Sequence, residues 1–196
     1  MIRNLDKTLE TSTLSDEQLA AAAAREGSDG PAFVEILRRY QQRVWRICYR
    51  LLSNEHDAHD AAQEVFVRLF TARAQFAGRS RYSTWVHGIA VRTSLNLRRS
   101  RGRREKRVTP LADESLHRES DDQIAEQAPH AAGLSLDLMQ MLECLDEEDR
   151  ALLILKYSED YSYDDLAEIF KLSQSACKMR ISRAREKLKQ RFPEAM

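Results

Sequence analysis

Gln174, Lys178, Ser182 and Arg183 stand on one face of a C-terminal helical stretch, with Arg180 and Arg185 beside them. Arginine can grip guanine at two acceptors, and lysine or serine can hold a phosphate or a base edge. Residues 174–191 hold seven basic groups and one acid, net +6. This is the chemistry of nucleic-acid recognition. Catalysis and metal binding are not expected. His56 and His59, beside Asp57 and Asp60, offer too few fixed ligands for a metal site. Cys48, Cys144 and Cys177 stand far apart, with no ligand spacing, so they read as small core residues in a reducing cytosol. No cofactor site is expected.

The elements that must hold that face are legible. An acidic segment, Tyr163-Asp-Asp-Leu-Ala-Glu-Ile-Phe170, precedes a tight Lys171-Leu172-Ser173 break, and then the basic segment begins. Ala167, Leu172, Cys177 and Ile181 are apolar at intervals of five, five and four, and Ala184 and Leu188 extend the stripe. The interval of four keeps one helical face, and the fives carry the core across a turn. Ser173 suits the N-cap of the second helix, while Lys171 stands where a glycine often sits. The pattern predicts a helix-turn-helix, whose second helix commonly enters a DNA major groove. An amphipathic hairpin with a solvated basic face is the plainer alternative.

Upstream, Ser15-Asp-Glu-Gln18 reads as a capping box opening a helix to about Arg25. After Gly27–Pro31, a stripe of Phe33, Ile36, Leu37, Tyr40, Val44, Ile47, Cys48 and Leu51 predicts a long helix from about Ala32. A third runs from about Asp57 to Thr71, with Ala58, Ala62, Val65, Phe66 and Leu69 inside and Asp60, Gln63, Glu64 and Arg68 outside. Ser83 is expected to cap a fourth, Thr84 to about Lys106, which carries Trp85 inward and ends in a basic run. Residues 134–157 predict two further helices before the helix-turn-helix, the second of them from about Arg150. The fold class is all-α: two small helical domains, 15–108 and 134–196, after a 1–14 tail, joined by a flexible acidic linker at 109–133.

The 196 residues have no net charge, but the charge is unevenly placed. Residues 33–108 hold 17 basic and six acidic groups, net +11, and 109–133 hold one and six, net −5. Two basic surfaces flank an acidic segment, and each could neutralise phosphates in a salt-sensitive way. The start lacks the apolar run of a signal peptide and no stretch reaches membrane-spanning length, so a cytoplasmic chain with no membrane insertion is expected.

Taken in order, these pieces resemble a bacterial extracytoplasmic-function (ECF) RNA polymerase sigma factor. The residues that carry the likeness are Ala32-Phe33 with Tyr40, Asp57-Ala-His-Asp-Ala-Ala-Gln-Glu-Val-Phe66, and Tyr82-Ser-Thr-Trp85 with Ile89-Ala90. Leu142-Glu-Cys-Leu145 with Arg150, Tyr161-Ser-Tyr-Asp-Asp-Leu-Ala-Glu168 and Lys178-Met-Arg-Ile-Ser-Arg-Ala-Arg185 complete the set. The resemblance implies that the helix bearing Asp60, Gln63 and Glu64 docks on the polymerase. It implies that Phe76, Arg79, Arg81 and Tyr82, continued by Arg92, Asn96, Arg98 and Arg99, bind and help open a downstream promoter box. Melting needs phosphate neutralisation and a surface for an unstacked base. One departure is that the family's Ile-Ala-x-Asn reads Ile89-Ala90-Val91-Arg92 here. Gln174, Lys178, Arg180, Ser182 and Arg183 would bind the upstream box. The implied partners are core RNA polymerase and promoter DNA. Family members are often held by an anti-sigma factor, and the sequence leaves that partner open. Two other readings stand beside this one: an operator-binding regulator that dimerises through its first domain, and an adaptor whose basic faces bind acidic proteins.

Overall fold

The computed structural model describes residues 11–26, 30–108 and 136–193. The first ten residues of the expected tail, 27–29 of the expected break, and the whole of the expected linker lie outside the described residues. Regular structure among them is helical: α1 (Asp16–Ala23), α2 (Pro31–Leu52), α3 (Glu55–Ala72), a 3-10 turn at Arg73–Gln75, α4 (Tyr82–Val108), α5 (Leu136–Leu142), α6 (Glu147–Ser158), α7 (Tyr163–Phe170) and α8 (Gln174–Arg191). The expected all-α class is the observed one.

Each boundary has a local cause. Ser15 and Gln18 form the anticipated capping box on α1, satisfying two backbone donors reciprocally. Pro31 opens α2, where its missing N–H costs nothing. Asn54 caps α3 through the Asp57 amide, so that helix starts two residues before the expected Asp57. The expected cap at Ser83 is corrected: α4 already begins at Tyr82, leaving Ser83 inside the helix. Glu17 of α1 reaches across to accept from the Tyr82 amide at 3.2 Å, a tertiary cap that neighbouring residues could not announce.

The N-terminal half packs α2 against α1, α3 and α4, and α3 against α4. Its core holds Leu19, Phe33, Ile36, Val44, Ile47, Leu51, Ala58, Val65, Leu69, Val86 and Val91. Burying each large apolar side chain contributes about 1.5–3 kcal/mol. The C-terminal half packs α6 and α7 on α8, around Leu152, Leu155, Leu166, Ile169, Cys177, Ile181 and Leu188. Arg150 is buried, and its Nε donates to the Leu142 carbonyl at the end of α5 at 3.0 Å. That carbonyl, at a helix end, also accepts from the Leu145 amide at 3.2 Å.

The two halves also touch. α4 packs on α7 and α6, and α2 on α6. This seam is the feature that the sequence did not forecast, and it decides which basic side chains are paired.

Candidate nucleic-acid interface

The helix-turn-helix forms as its pattern predicts. Ser162 caps α7 and exchanges hydrogen bonds with Asp165 in a capping box. Lys171 ends α7 in the left-handed conformation, φ 56° and ψ 44°, doing without glycine what glycine usually does there. Ser173 caps α8 by accepting from the Ala176 amide at 3.1 Å. Cys177, Ile181, Ala184 and Leu188 are its buried stripe, as expected.

The opposite side of α8 presents Gln174, Lys178, Ser182 and Arg183 to solvent. Lys178 lies with its Nζ 5.3 Å from the centre of the Tyr163 ring, and Gln174 donates to Asp164. Arg180 differs from its neighbours. It turns toward α6, with Nε 2.6 Å from Asp149 Oδ1 and Nη1 3.0 Å from Glu148 Oε2. Arg180 therefore braces α8 on α6 in this arrangement and is not part of the outward face.

In the N-terminal half, Asp60, Gln63 and Glu64 are exposed together on α3, as their spacing requires. Glu64 pairs with Arg68 at 2.7 Å, and Val67 adds a half-exposed apolar patch to the same face.

The expected downstream-box residues fall into two groups. Arg79 and Asn96 are exposed and Phe76 is partly so. Tyr82 is 1% exposed: its ring packs edge-on against Tyr40 and Phe76 and tilts against Trp85. It belongs to the wall that holds Phe76 and Trp85, not to the surface. Trp85, read from sequence as core, is only partly buried.

Arg81, Arg92 and Arg99 are exposed as well, but together with the half-buried Arg98, which lies 3.8 Å from Glu147, they have partners in the C-terminal half. One Arg81 nitrogen spans both Asp165 oxygens, at 2.8 and 2.7 Å, and Thr84 Oγ1 donates to the same carboxylate at 2.7 Å. Burial opposes charge on Asp165, yet the donors from Ser162, Thr84 and Arg81 outweigh it and hold the carboxyl at about 2. The Arg92 guanidinium folds over Gly88 and points to the Ile169 carbonyl at 3.5 Å. Arg99 pairs with Glu148 at 2.8 Å and Glu147 at 3.4 Å, while Arg98 donates to the Leu51 carbonyl at 3.0 Å.

Two participants escaped the sequence reading. The Glu159 side chain is 2% exposed and pairs with Arg43, Arg46 and Arg50 of α2. His87 is buried beneath Tyr161, whose hydroxyl meets Nδ1. A polar cleft of about 470 Å³ runs along this seam between the halves. The α2 arginines recur at 43, 46 and 50, a helical signal that lay hidden behind the stronger apolar stripe. Nothing in the sequence marked Glu159 or His87 as meeting the other half.

A helix-turn-helix with an outward basic face, joined to a second basic helical unit, defines a DNA-binding protein of bipartite type. The family model described as sigma-70 region 2 matches residues 36–104, and that described as sigma-70, region 4 matches residues 135–188. The ECF RNA polymerase sigma factor SigW of Bacillus subtilis is 29% identical over 84% of this chain and 90% of its own length. The ECF RNA polymerase sigma-E factor of Escherichia coli is 31% identical over 88% of this chain and 92% of its own. SigE of Mycolicibacterium smegmatis is 31% identical over 81% of this chain, which spans 61% of that longer relative. Among solved structures, CnrH in complex with the cytosolic domain of CnrY superposes with a TM-score of 0.63 at 22% identity, covering 91% of this chain and 97% of that one. The sigma factor RpoE in complex with the anti-sigma factor NepR from Bartonella quintana gives 0.62 at 23%, covering 84% and 98%. The chain belongs to the sigma-70 family of RNA polymerase sigma factors, in its ECF group, whose members direct RNA polymerase to promoters.

Proposed function

We propose that this sigma factor docks on core RNA polymerase through Asp60, Gln63 and Glu64, and reads an upstream promoter box through Gln174, Lys178, Ser182 and Arg183. The observation that carries the reading is the exposure of both faces on opposite sides of well-packed helices. A downstream box is bound and opened by Phe76, Arg79 and Asn96, with Arg81, Arg92, Arg98 and Arg99 joining once the halves separate. Trp85 and Phe76 form the aromatic surface for an unstacked base, and Tyr82 supports it from behind. The chain itself performs no catalysis; the polymerase supplies it. The 15–108 and 134–196 units act as the two promoter-binding modules and 109–133 links them. No described helix is long and apolar enough to cross a membrane, which fits a cytoplasmic site of action. Two fold relatives were solved with protein partners, CnrY and NepR, and a comparable anti-sigma partner would cover these same faces.

Run-off transcription with purified core polymerase and a promoter library tests this reading. Initiation at defined start sites, present only with the chain, is expected. Reversing Asp60 and Glu64 to lysine weakens capture of the core enzyme in a pull-down and leaves the isolated chain folded. Unchanged capture would remove the docking assignment.

A further inference from the structure

α2 carries a row of arginines that the reading above does not use. Arg39, Arg43, Arg46 and Arg50 recur at intervals of four, three and four, so one helix face holds them all. Arg39 is tied within its own half by Asp16 and Glu35, both at 2.8 Å. The other three converge on Glu159 at the end of α6. Arg43 Nε lies 3.0 Å from Glu159 Oε2, Arg46 Nε 3.2 Å from Oε1, and Arg50 Nη1 pairs with the same Oε1. The Glu159 carbonyl accepts from Arg43 at 3.1 Å, and the Ser158 carbonyl accepts from Arg50.

This is a built anion receptor. Its Glu159 carboxylate is almost wholly withdrawn from water, a costly position that only close cationic partners offset. The fit is one of charge more than direction. Arg43 Nε, Arg46 Nε and Glu159 Oε1 lie in ion-pair range without hydrogen-bond alignment. Arg43 and Arg81 line the same polar cleft, so the row continues into the surface assigned to the downstream promoter box. From Arg43 to Arg50 the helix rises about 10 Å, the axial rise of roughly three nucleotides of a duplex strand. The planar guanidinium fork matches phosphate oxygens.

We propose that Arg43, Arg46 and Arg50 form a phosphate-binding row for promoter DNA, and that Glu159 fills it as an internal stand-in for phosphate while the two halves are closed. The inference rests on the sigma-factor reading. Opening the seam exchanges one carboxylate for the DNA backbone, so the halves part most readily where DNA is present to replace Glu159.

The probe is a fluorescein-labelled single-stranded oligonucleotide of mixed sequence, titrated with the full chain and followed by anisotropy. Glu159→Gln is expected to tighten binding about tenfold, the scale of one or two charge-assisted contacts. It should also steepen the log–log salt dependence by about 2, as three newly available arginines would. Adding Arg43→Gln and Arg46→Gln to Glu159→Gln should remove most of the gain. A gain that survives those two changes, or no gain from a Glu159→Gln chain that keeps its helical circular dichroism, overturns the proposal. A second measurement needs no change at Glu159: a photo-crosslinking amino acid replaces Arg46 in the holoenzyme on promoter DNA. Crosslinks to DNA are expected; crosslinks to polymerase alone would make the row a protein-docking surface and overturn the assignment to DNA. Run-off activity of the unaltered chain separates the two failures. If transcription proceeds while these results are negative, the arginine row falls and the sigma reading stands.

Discussion

At the scale of residues, the same side-chain type does opposite work according to what faces it. Arg180 and Arg183 lie three positions apart on α8, yet Arg180 is held by Glu148 and Asp149 and Arg183 is exposed. Removing Arg183 should therefore weaken upstream-box binding by about 1–3 kcal/mol and leave capture of core polymerase intact. A gel-shift titration beside a pull-down checks this, and loss of polymerase capture would sink the outward-face assignment. Asp165 shows how one carboxylate can serve two purposes. It completes the capping box by accepting from the Ser162 amide at 3.3 Å, and it receives Arg81 and Thr84 from the other half. Its capping role is local, set by the Ser-x-x-Asp spacing of Ser162 and Asp165. Its second role depends on two residues more than 80 positions away, which no local pattern specifies.

At the scale of elements, boundaries follow caps, and the turn of the helix-turn-helix is the most informative. Lys171 adopts a left-handed backbone that costs a non-glycine residue roughly 1–3 kcal/mol. Glycine would relieve that strain but lose about 0.4–1 kcal/mol to the greater freedom of the unfolded chain. The Lys171–Glu168 pair at 2.6 Å is exposed and adds little. Lys171→Gly should thus stabilise the chain by about 1 kcal/mol, read as a higher urea midpoint at constant slope. A lower midpoint would mean that the lysine side chain itself holds the turn. Helix existence and inward faces could be read from periodicity in α2, α3, α7 and α8. The start of α4 could not, because its first amide is bonded by Glu17 from a different helix.

At the scale of the whole molecule, the seam between the halves is an electrostatic lock with an acid-sensitive centre. His87 is held neutral by burial first and by Arg43 next, which lower its pKa from the ordinary 6.5 to about 3, against smaller opposing effects of Asp165 and Asp16. Arg46 adds to the lowering, and Tyr40 and Tyr161 pack edge-on against the ring. A histidine that must stay neutral contributes its full stability above about pH 6.5, and that stability drains as pH falls toward 3. Asp165 and Glu35, each held at about 2, contribute fully above the ordinary carboxylate range and lose their share as pH falls through it toward 2. For Glu35 the Arg38 hydrogen bond is the main cause. All three run the same way, so stability should fall on acidification from pH 7, beginning in the histidine range. His87→Gln should flatten the change in urea midpoint between pH 7 and 5 while keeping the steeper loss below. An unaltered profile in that variant would assign the upper limb to another group. The sequence by itself determined the helical class, the helix-turn-helix, the outward faces of α3 and α8, and the two basic stretches at 33–108 and 174–191, because those properties are carried by residue types and spacing along a continuous stretch of chain. Only the tertiary structure decided that Tyr82 is buried, that Arg180 braces and Arg81 is paired, and that Glu159 sits among three arginines. Each depends on a partner distant in sequence, and the packing of one half on the other chooses which charge is withdrawn from water and which is left to meet it.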